Sequence, residues 1–495
     1  MSVPEIRLRA LNDDPRRENG DYVLYWMTSF RRTRFNHSLD RALELSRELA
    51  RPLVVLEALR VGYRWASDRL HRFAIDGMAD NRAAFADTPV AYHPYVEPEE
   101  GAGRGLLAAL AERACVIVTD DFPSFFLPRM QKAAARKVGV RMETVDGNGL
   151  YPLRATKKIF ARAVDMRRHL QKDLPQYLND RPHPNPLADL DLPTASLPDD
   201  VGSRWPAASD ALLEGDPDAL AALPIDHAVP AVDLRGGQKA GYDRIQAFVE
   251  RRLGAYGDGR NHPDEDAASG LSPYLHWGHV SAHEVFWTIA NRERWSPDQL
   301  STKAKGSREG WWNMSEAAES FMDELITWRE LGFNMTSHRD DYDQFDSLPD
   351  WAKRTMAEHA DDERPYVYDL ATLEAAETHD DIWNAAQREL RQTGRMHNYL
   401  RMLWGKKIYE WSATPQDALD IMIELNNKYA LDGRNPNSYS GIFWVLGRYD
   451  RAWGPERPIF GKLRYMTSDS TRRKLKLKGY LERFGADDQR RLFAG

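Results

Sequence analysis

The chain has 495 residues, with 68 Lys and Arg against 75 Asp and Glu and a formal net charge of −7. This length predicts more than one domain with ample core. The charge balance excludes a globally basic nucleic-acid binder, so any such binding needs a local patch. The one cysteine, Cys115, excludes an internal disulfide and a four-cysteine metal or iron–sulfur cluster. There is no bilayer-length apolar run and no signal peptide, which predicts a soluble intracellular protein, cytoplasmic or, in a eukaryote, nuclear. No metal site is expected. The composition is globular, at 42% hydrophobic and 11% aromatic, and rich in tryptophan with 15.

Residues 1–20 read as a polar lead-in. Apolar runs then alternate with helical patterns: YVLYWM (22–27), PLVVLEA (52–58), PVAYHPY (89–95), CVIVTDD (115–121) and VRMETVDG (140–147), with amphipathic segments between them. This is the βαβ repeat of a doubly wound, Rossmann-like parallel sheet. Such folds bind ligands at the carboxyl ends of their strands, but no GxGxxG follows the first strand to mark a dinucleotide. The α/β domain is placed at 20–150 and an interdomain connector at 151–235, the latter rich in Pro, Asp and Ser and read as extended loop. An all-helical domain follows over 236–495.

The helical half carries the chemistry-bearing motifs. In AYGDGRNHPDEDAASGLSPYLHW, hydroxyl residues precede a helix expected from about Pro273, so Ser269 and Ser272 could offer hydroxyls and backbone N–H groups to phosphate. In MDELITWRELGFN, Glu324 and Trp328 stand at i, i+4 on one helix face. Asp380 and Asp381 cap a helix to about Arg391, and Thr393-Gly394 ends it. A second helix is expected from Met396 to Trp411. Trp404 and Trp411 share one face of it, about 10 Å apart along the axis, and Trp383 lies on the helix before. Aromatics at helical spacing are ordinarily core; their other use is as an electron path. Arg401 sits among apolar neighbours and needs a carboxylate, for which Asp432 in LDGRNPN is the candidate. The run 456–484 carries Arg457, Lys462, Arg464, Arg472, Arg473, Lys474, Lys476, Lys478 and Arg483, a solvated face or a phosphate-binding one.

The segments TGRMHNYLRMLWGKKIYEW, KYALDGRNPNSY and ERPIFGKLRYM resemble the flavin domain of class II cyclobutane-pyrimidine-dimer photolyases, in the photolyase/cryptochrome superfamily, with agreement in order and spacing over roughly 235–466. The resemblance implies FAD, active as FADH⁻, held by Tyr256, Ser269, Leu271, Ser272, Arg329, Arg401, Asn426 and Asp432. In it Arg329 faces the pyrophosphate, Asn426 faces flavin N5 with Asn427 competing for that role, and Arg401 and Asp432 flank the ring. It implies a lesion pocket with Glu324 as hydrogen-bond or proton donor, Trp328 and Trp444 as walls and Met402 as floor. It implies an electron relay of Trp404 nearest the flavin, then Trp383, then Trp411 outermost. Arg260, Arg457, Lys462 and Arg464 become DNA contacts. The sheet domain becomes an antenna domain, with a second light-harvesting chromophore that no motif identifies.

The enzyme reading is a monomeric lyase that acts on DNA containing UV lesions: photoexcited FADH⁻ gives an electron to a cyclobutane pyrimidine dimer, the ring splits, and the electron returns. The alternative is a cryptochrome-like blue-light receptor on the same fold, or a photolyase with altered lesion preference. Three departures favour the alternative: TSFRRTRFN (28–36) in place of an SRDQR-like turn, Gly270 in SGLSP, and WVLGRYDRAW (444–453), one residue shorter than the family loop. Glu324, Trp328, Met402 and Trp444 favour the enzyme, and no long tail follows Phe484.

Overall fold

The computed structural model describes residues 2–486, so the last stretch after Phe484 lies almost wholly outside the described residues. The chain forms two compact units that interleave along the sequence. The first gathers residues 1–158, 169–249 and 270–302, the second 159–168, 250–269 and 303–495.

The first unit is built on six strands: β1 (Leu8–Ala10), β2 (Tyr22–Met27), β3 (Leu53–Leu59), β4 (Ala91–Val96), β5 (Ala114–Asp120) and β6 (Met142–Val145). Their order is β1-β6-β5-β2-β3-β4. All neighbouring pairs are parallel except β1 with β6. The mixed α/β architecture is the one expected, with one correction. The lead-in is not loose, because β1 pairs antiparallel with β6. Arg7 before it is fully buried and donates to the carbonyls of Asp146, Gly149 and Leu150 at 3.1, 3.2 and 3.0 Å.

Every residue of β2 is buried. Tyr22, Leu24 and Trp26 face one apolar cluster; Val23, Tyr25 and Met27 face the other. A strand covered on both faces reads as a continuous apolar run, as YVLYWM does. Helices α1 (His37–Leu49), α2 (Asp68–Phe85), α3 (Leu106–Arg113) and α4 (Leu127–Ala135) supply those covers. Asn36 starts α1, its side chain accepting from the Ser38 and Leu39 amides.

The chain runs outward from β2 through β3 to β4, then returns to β5 on the other side of β2, so the crevice at the carboxyl ends of β2 and β5 is the switch point. There Asp120 Oδ2 accepts the backbone N–H groups of Thr28, Ser29 and Phe30 at 2.8, 2.7 and 2.9 Å. The loop after β2 thus folds its amides onto the chain's own carboxylate.

The stretch expected as an extended connector is instead folded, with 159–168 in the second unit and the rest in the first. It forms short helices at Asp199–Arg204, Asp210–Glu214 and Pro217–Ala221. Leu212, Leu213, Leu220 and Leu223 pack with Ala74, Ile75 and Met78 of α2. Trp205 donates its indole N–H to Ala102 O at 3.0 Å. The boundary expected near 235 falls inside the first unit, because Gly237 N donates to His279 Nδ1 at 2.9 Å and Phe73 stacks on the His279 ring.

The second unit is helical. Its site-bearing helices are Glu316–Met322, Arg329–His338, Asp381–Thr393, Asn398–Trp411, Pro415–Tyr429 and Pro436–Val445. Gly332 lies where two of them are close. A methyl group there would crowd the Asn437 and Ser440 side chains and come within 3.2 Å of Pro436 O, so glycine suits the contact of Arg329–His338 with Pro436–Val445.

Candidate active site

The first correction lies in MDELITWRELGFN. An uninterrupted α-helix was expected, but Asp323–Trp328 is a π-helical turn between two α-helices. Such turns insert one residue into the helical ladder and are frequent at functional sites. Asp323, buried at the start of the turn, takes a two-pronged ion pair from Arg167, with Nε–Oδ1 2.7 Å and Nη2–Oδ2 2.9 Å. Both side chains are 8% exposed. This anchor holds the turn that presents Glu324 and Trp328, and the sequence motif did not flag it, since Arg167 and Asp323 are far apart in the chain.

Glu324 Oε1 accepts from Arg260 Nη1 at 2.6 Å. Arg260 also lies over the Tyr256 ring, 5.3 Å from its centroid. Burial pushes the Glu324 carboxyl above its ordinary value, and Arg260 pulls against that. Burial likewise pushes the Tyr256 hydroxyl up to about 12. Arg260, expected at phosphate, and Tyr256, expected at the flavin, both lie beside Glu324.

Trp328 and Trp444 are half-buried, with ring centroids 6.5 Å apart and planes at 59°. They form an open V rather than parallel walls. Arg464 lies over Trp444 at 5.5 Å and over Trp453 at 5.4 Å, and Arg451 lies over Trp453 at 4.7 Å. Basic and aromatic side chains therefore alternate outward from the V. Trp453 was missed, although the interleaving of WVLGRYDRAW with KLR was its signal.

Other basic residues are less available than the charge run implied. Lys462 pairs with Glu456 at 2.9 Å, Arg472 with Asp381 at 2.6 Å and Lys476 with Glu265. Arg457 lies over Tyr465 at 5.0 Å.

Asn398–Trp411 starts two residues later than expected, because His397 has extended backbone angles. It carries Arg401, half-buried Met402, Trp404 and Trp411. Arg401 Nη2 meets Asp432 Oδ1 at 3.2 Å with the side chains 24% and 14% exposed, so the expected ion pair exists at a rim rather than in a closed core. Asn426 is buried and donates its amide N–H groups to Ser438 Oγ at 2.9 Å and Asn427 Oδ1 at 3.2 Å. Both donors being engaged, its amide oxygen is the group left to meet a ligand N–H. Asn427 is occupied by Arg434, whose backbone N–H it accepts at 2.8 Å, and by Tyr439. Arg329 is buried with its guanidinium 4.1 Å from the Phe333 ring centroid.

Of the remaining expected flavin contacts, Ser269 belongs to the second unit and Leu271 and Ser272 to the first. The helix they introduce, Ser272–His276, is a single short turn. Gly270 has φ +68°, beside the Arg244 guanidinium. The left-handed backbone favours glycine at this departure from the family pattern.

The three tryptophans are buried: Trp383 at 0%, Trp404 at 3% and Trp411 at 2% exposure. Trp383 Nε1 donates to Trp404 O at 3.0 Å, and its ring lies 5.6 Å from that of Trp411. Trp404 Nε1 donates to buried Gln387 Oε1 at 2.9 Å, a partner on the Trp383 helix that the spacing of four residues could have suggested. Among the described residues, no three His, Cys, Asp or Glu gather as a metal site, and no helix is long and apolar enough to cross a membrane.

A doubly wound sheet unit with a helical unit bearing an aromatic V, an acid–arginine pair and a buried tryptophan row defines the photolyase-type fold. A bacterial class III photolyase structure from Agrobacterium tumefaciens shares it with a TM-score of 0.66, at 17% identity over 94% of this chain and 86% of that one. No protein-family model matches the chain. The deoxyribodipyrimidine photo-lyase of Methanothermobacter thermautotrophicus is 33% identical over 480 residues, covering 96% of this chain and 97% of that protein. The Arabidopsis thaliana enzyme of the same name is 31% identical over 97% of this chain and 93% of its own length. The chain belongs to the deoxyribodipyrimidine photo-lyase family.

Proposed function

We propose that the chain is a class II-type photolyase that splits cyclobutane pyrimidine dimers in DNA under blue or near-UV light. The observation that carries this reading is the half-buried Trp328–Trp444 V, with Glu324 presented on the same π-turn as Trp328. A protein that only sensed light through a flavin would have no need of an open aromatic cleft beside a half-buried acid, and this weighs against the cryptochrome-like alternative.

The side chains suit a flavin. The Asn426 oxygen can accept from a ring N–H, and the Arg401–Asp432 pair offers both charges at a partly exposed rim. Tyr256, Ser269, Leu271, Ser272 and Arg329 complete the proposed set. When bound, the flavin absorbs the light and supplies the electron that opens the cyclobutane ring and is then returned. The chain's own residues do the rest. Trp328 and Trp444 take the extruded bases against their faces, which offsets part of the unstacking cost. Glu324, whose affinity for a proton burial raises, donates in its protonated form a hydrogen bond to a base carbonyl as charge builds there. Met402 fills the apolar floor. Arg464 and Arg457, with Lys462 once freed from Glu456, meet phosphates, while Arg260, expected there too, stays on Glu324. The buried tryptophans carry electrons inward to restore the reduced cofactor. In the sheet unit, the amides after β2 are already engaged by Asp120, so a second, light-harvesting chromophore would sit away from them.

The test is repair itself. Purified, pre-reduced protein is mixed with an oligonucleotide holding one thymine dimer, illuminated, and followed for recovery of base absorbance against a dark control. Light-dependent recovery is expected. No recovery by protein that holds photoreducible flavin would overturn the reading in favour of another lesion or a photoreceptor, and the 444–453 loop would then be the segment to exchange.

A further inference from the structure

The ring expected at the outer end of the relay does not reach solvent: Trp411 is 2% exposed. Two side chains cover it. Tyr368 meets its indole edge-on at 5.5 Å and 84°, and His379 meets it at 5.1 Å and 61°. The Tyr368 backbone N–H donates to Trp411 O at 3.0 Å, which fixes the tyrosine to the turn it covers. The Tyr368 hydroxyl accepts the His379 backbone N–H at 3.2 Å and lies 2.7 Å from His379 Nδ1. In the His379 tautomer protonated on Nε2, Nδ1 is an acceptor and the phenolic hydrogen is donated to it. Beyond this pair, Tyr366 stacks on His379 at 3.8 Å and 19°, and Tyr366 is 48% exposed.

We propose that Tyr368 and His379 form a proton-coupled electron donor that extends the tryptophan relay from Trp411 to the surface. The proposal rests on the relay reading given above. Light-driven reduction of the oxidised flavin, fed through Trp404 and Trp383, leaves an electron vacancy on Trp411. One electron passes from the Tyr368 phenol to Trp411, while the phenolic proton moves along the hydrogen bond to His379 Nδ1. The O–H bond breaks and an N–H bond forms. Trp411 returns to its neutral closed-shell form, Tyr368 becomes a neutral phenoxyl radical, and His379 becomes an imidazolium. A thiol-class reductant in solution then restores the phenol at the exposed end, through Tyr366.

Two physical features favour this direction. A phenol gives up an electron readily only if its proton leaves in the same event, and the nearby imidazole is the base that permits it. The Lys407 ammonium, 5.4 Å from the Trp411 ring centroid, opposes positive charge on the indole, although Glu410 at 2.7 Å offsets part of its field. A vacancy that has moved outward and shed a proton is slow to return, so the reduced cofactor persists.

The experiment uses flavin-loaded protein, illuminated with the flavin oxidised and freeze-trapped for electron paramagnetic resonance. The expected signal is a tyrosyl radical that narrows when the protein is produced with ring-deuterated tyrosine, a test that needs no variant. Tyr368→Phe should replace that signal with a tryptophanyl one, and His379→Phe should also lose the tyrosyl signal although Tyr368 is present. His379→Gln, whose amide oxygen can still accept the hydrogen bond but is a poor base, should not restore it. A wild-type signal indifferent to tyrosine deuteration, with radical formation abolished by Trp404→Phe, would overturn the Tyr368–His379 pair and leave the relay standing. Photoreduction that survives Trp404→Phe would bring down the relay and this extension together.

Discussion

Arg260 Nη1 lies 2.6 Å from Glu324 Oε1, so the acid proposed to serve the lesion is held by the cation once expected on the DNA backbone. The pairing places two opposed influences on one carboxyl: burial raises its affinity for a proton and the guanidinium lowers it. If repair needs the protonated acid, it must fail as pH rises through the Glu324 pKa. Removing Arg260 takes away the lowering influence. Arg260→Gln is therefore expected to shift the alkaline limb of the repair pH profile to higher pH, measured by single-turnover repair with pre-reduced protein. A shift to lower pH, or none, would show that Arg260 does not control that proton.

Glu324→Ala should slow repair by about 10²-fold, the usual scale for loss of a positioned acid, with flavin still bound. Loss of the flavin absorbance instead would mark the residue as a structural support of the cofactor site.

Trp404→Phe removes both the indole and its hydrogen bond to Gln387. Photoreduction of oxidised flavin should fall far more than repair by chemically pre-reduced protein, because only the former draws electrons through the helix pair. The two rates are read on the same preparation by flavin bleaching and by dimer splitting. Equal loss of both would sink the relay assignment.

The Arg167–Asp323 fork is buried on both sides. Arg167→Met leaves the buried Asp323 carboxylate with only the exposed Arg308 at 3.7 Å and should cost about 3 kcal/mol. Arg167→Met combined with Asp323→Leu removes both charges and should recover most of that loss in thermal denaturation. Failure of the double variant to recover would indicate that the fork's geometry, not the uncompensated charge, is what the turn requires.

Lys406 is fully buried on the Asn398–Trp411 helix and donates to Val445 O behind the Trp444 wall. Burial lowers its pKa to about 7 from its ordinary 10.5. Between those values the unfolded chain binds more protons than the folded one, so stability rises with pH across that window. Relative to Lys406→Met, the native chain should gain about 3 kcal/mol between pH 6.5 and 9.5, read as a narrowing difference in melting temperature. A constant difference would show that the buried amine keeps its proton across the window, as the unfolded chain does.

The sequence by itself determined five of the six strands, the helical second half and the helical spacing of the tryptophans. Each is a local pattern: YVLYWM has to be covered on both faces, and residues at helical spacing share a face whatever surrounds them. The sequence also carried enough family pattern to expect Trp328, Trp444 and Glu324 in one site. Only the tertiary structure decided who partners whom. Arg260 looked like any exposed cation until folding set it on Glu324. The π-turn at Asp323–Trp328 depends on Arg167 from a distant segment. The lead-in became β1 because β6 offered it an edge, and the polar connector became part of the sheet unit because its scattered leucines found α2. Trp411 lost its expected exposure to Tyr368 and His379, which no spacing rule connects to it. Periodicity and capping act over a few residues and are written in the chain, whereas ion pairs, ring contacts and burial between distant segments exist only once the backbone has closed around them.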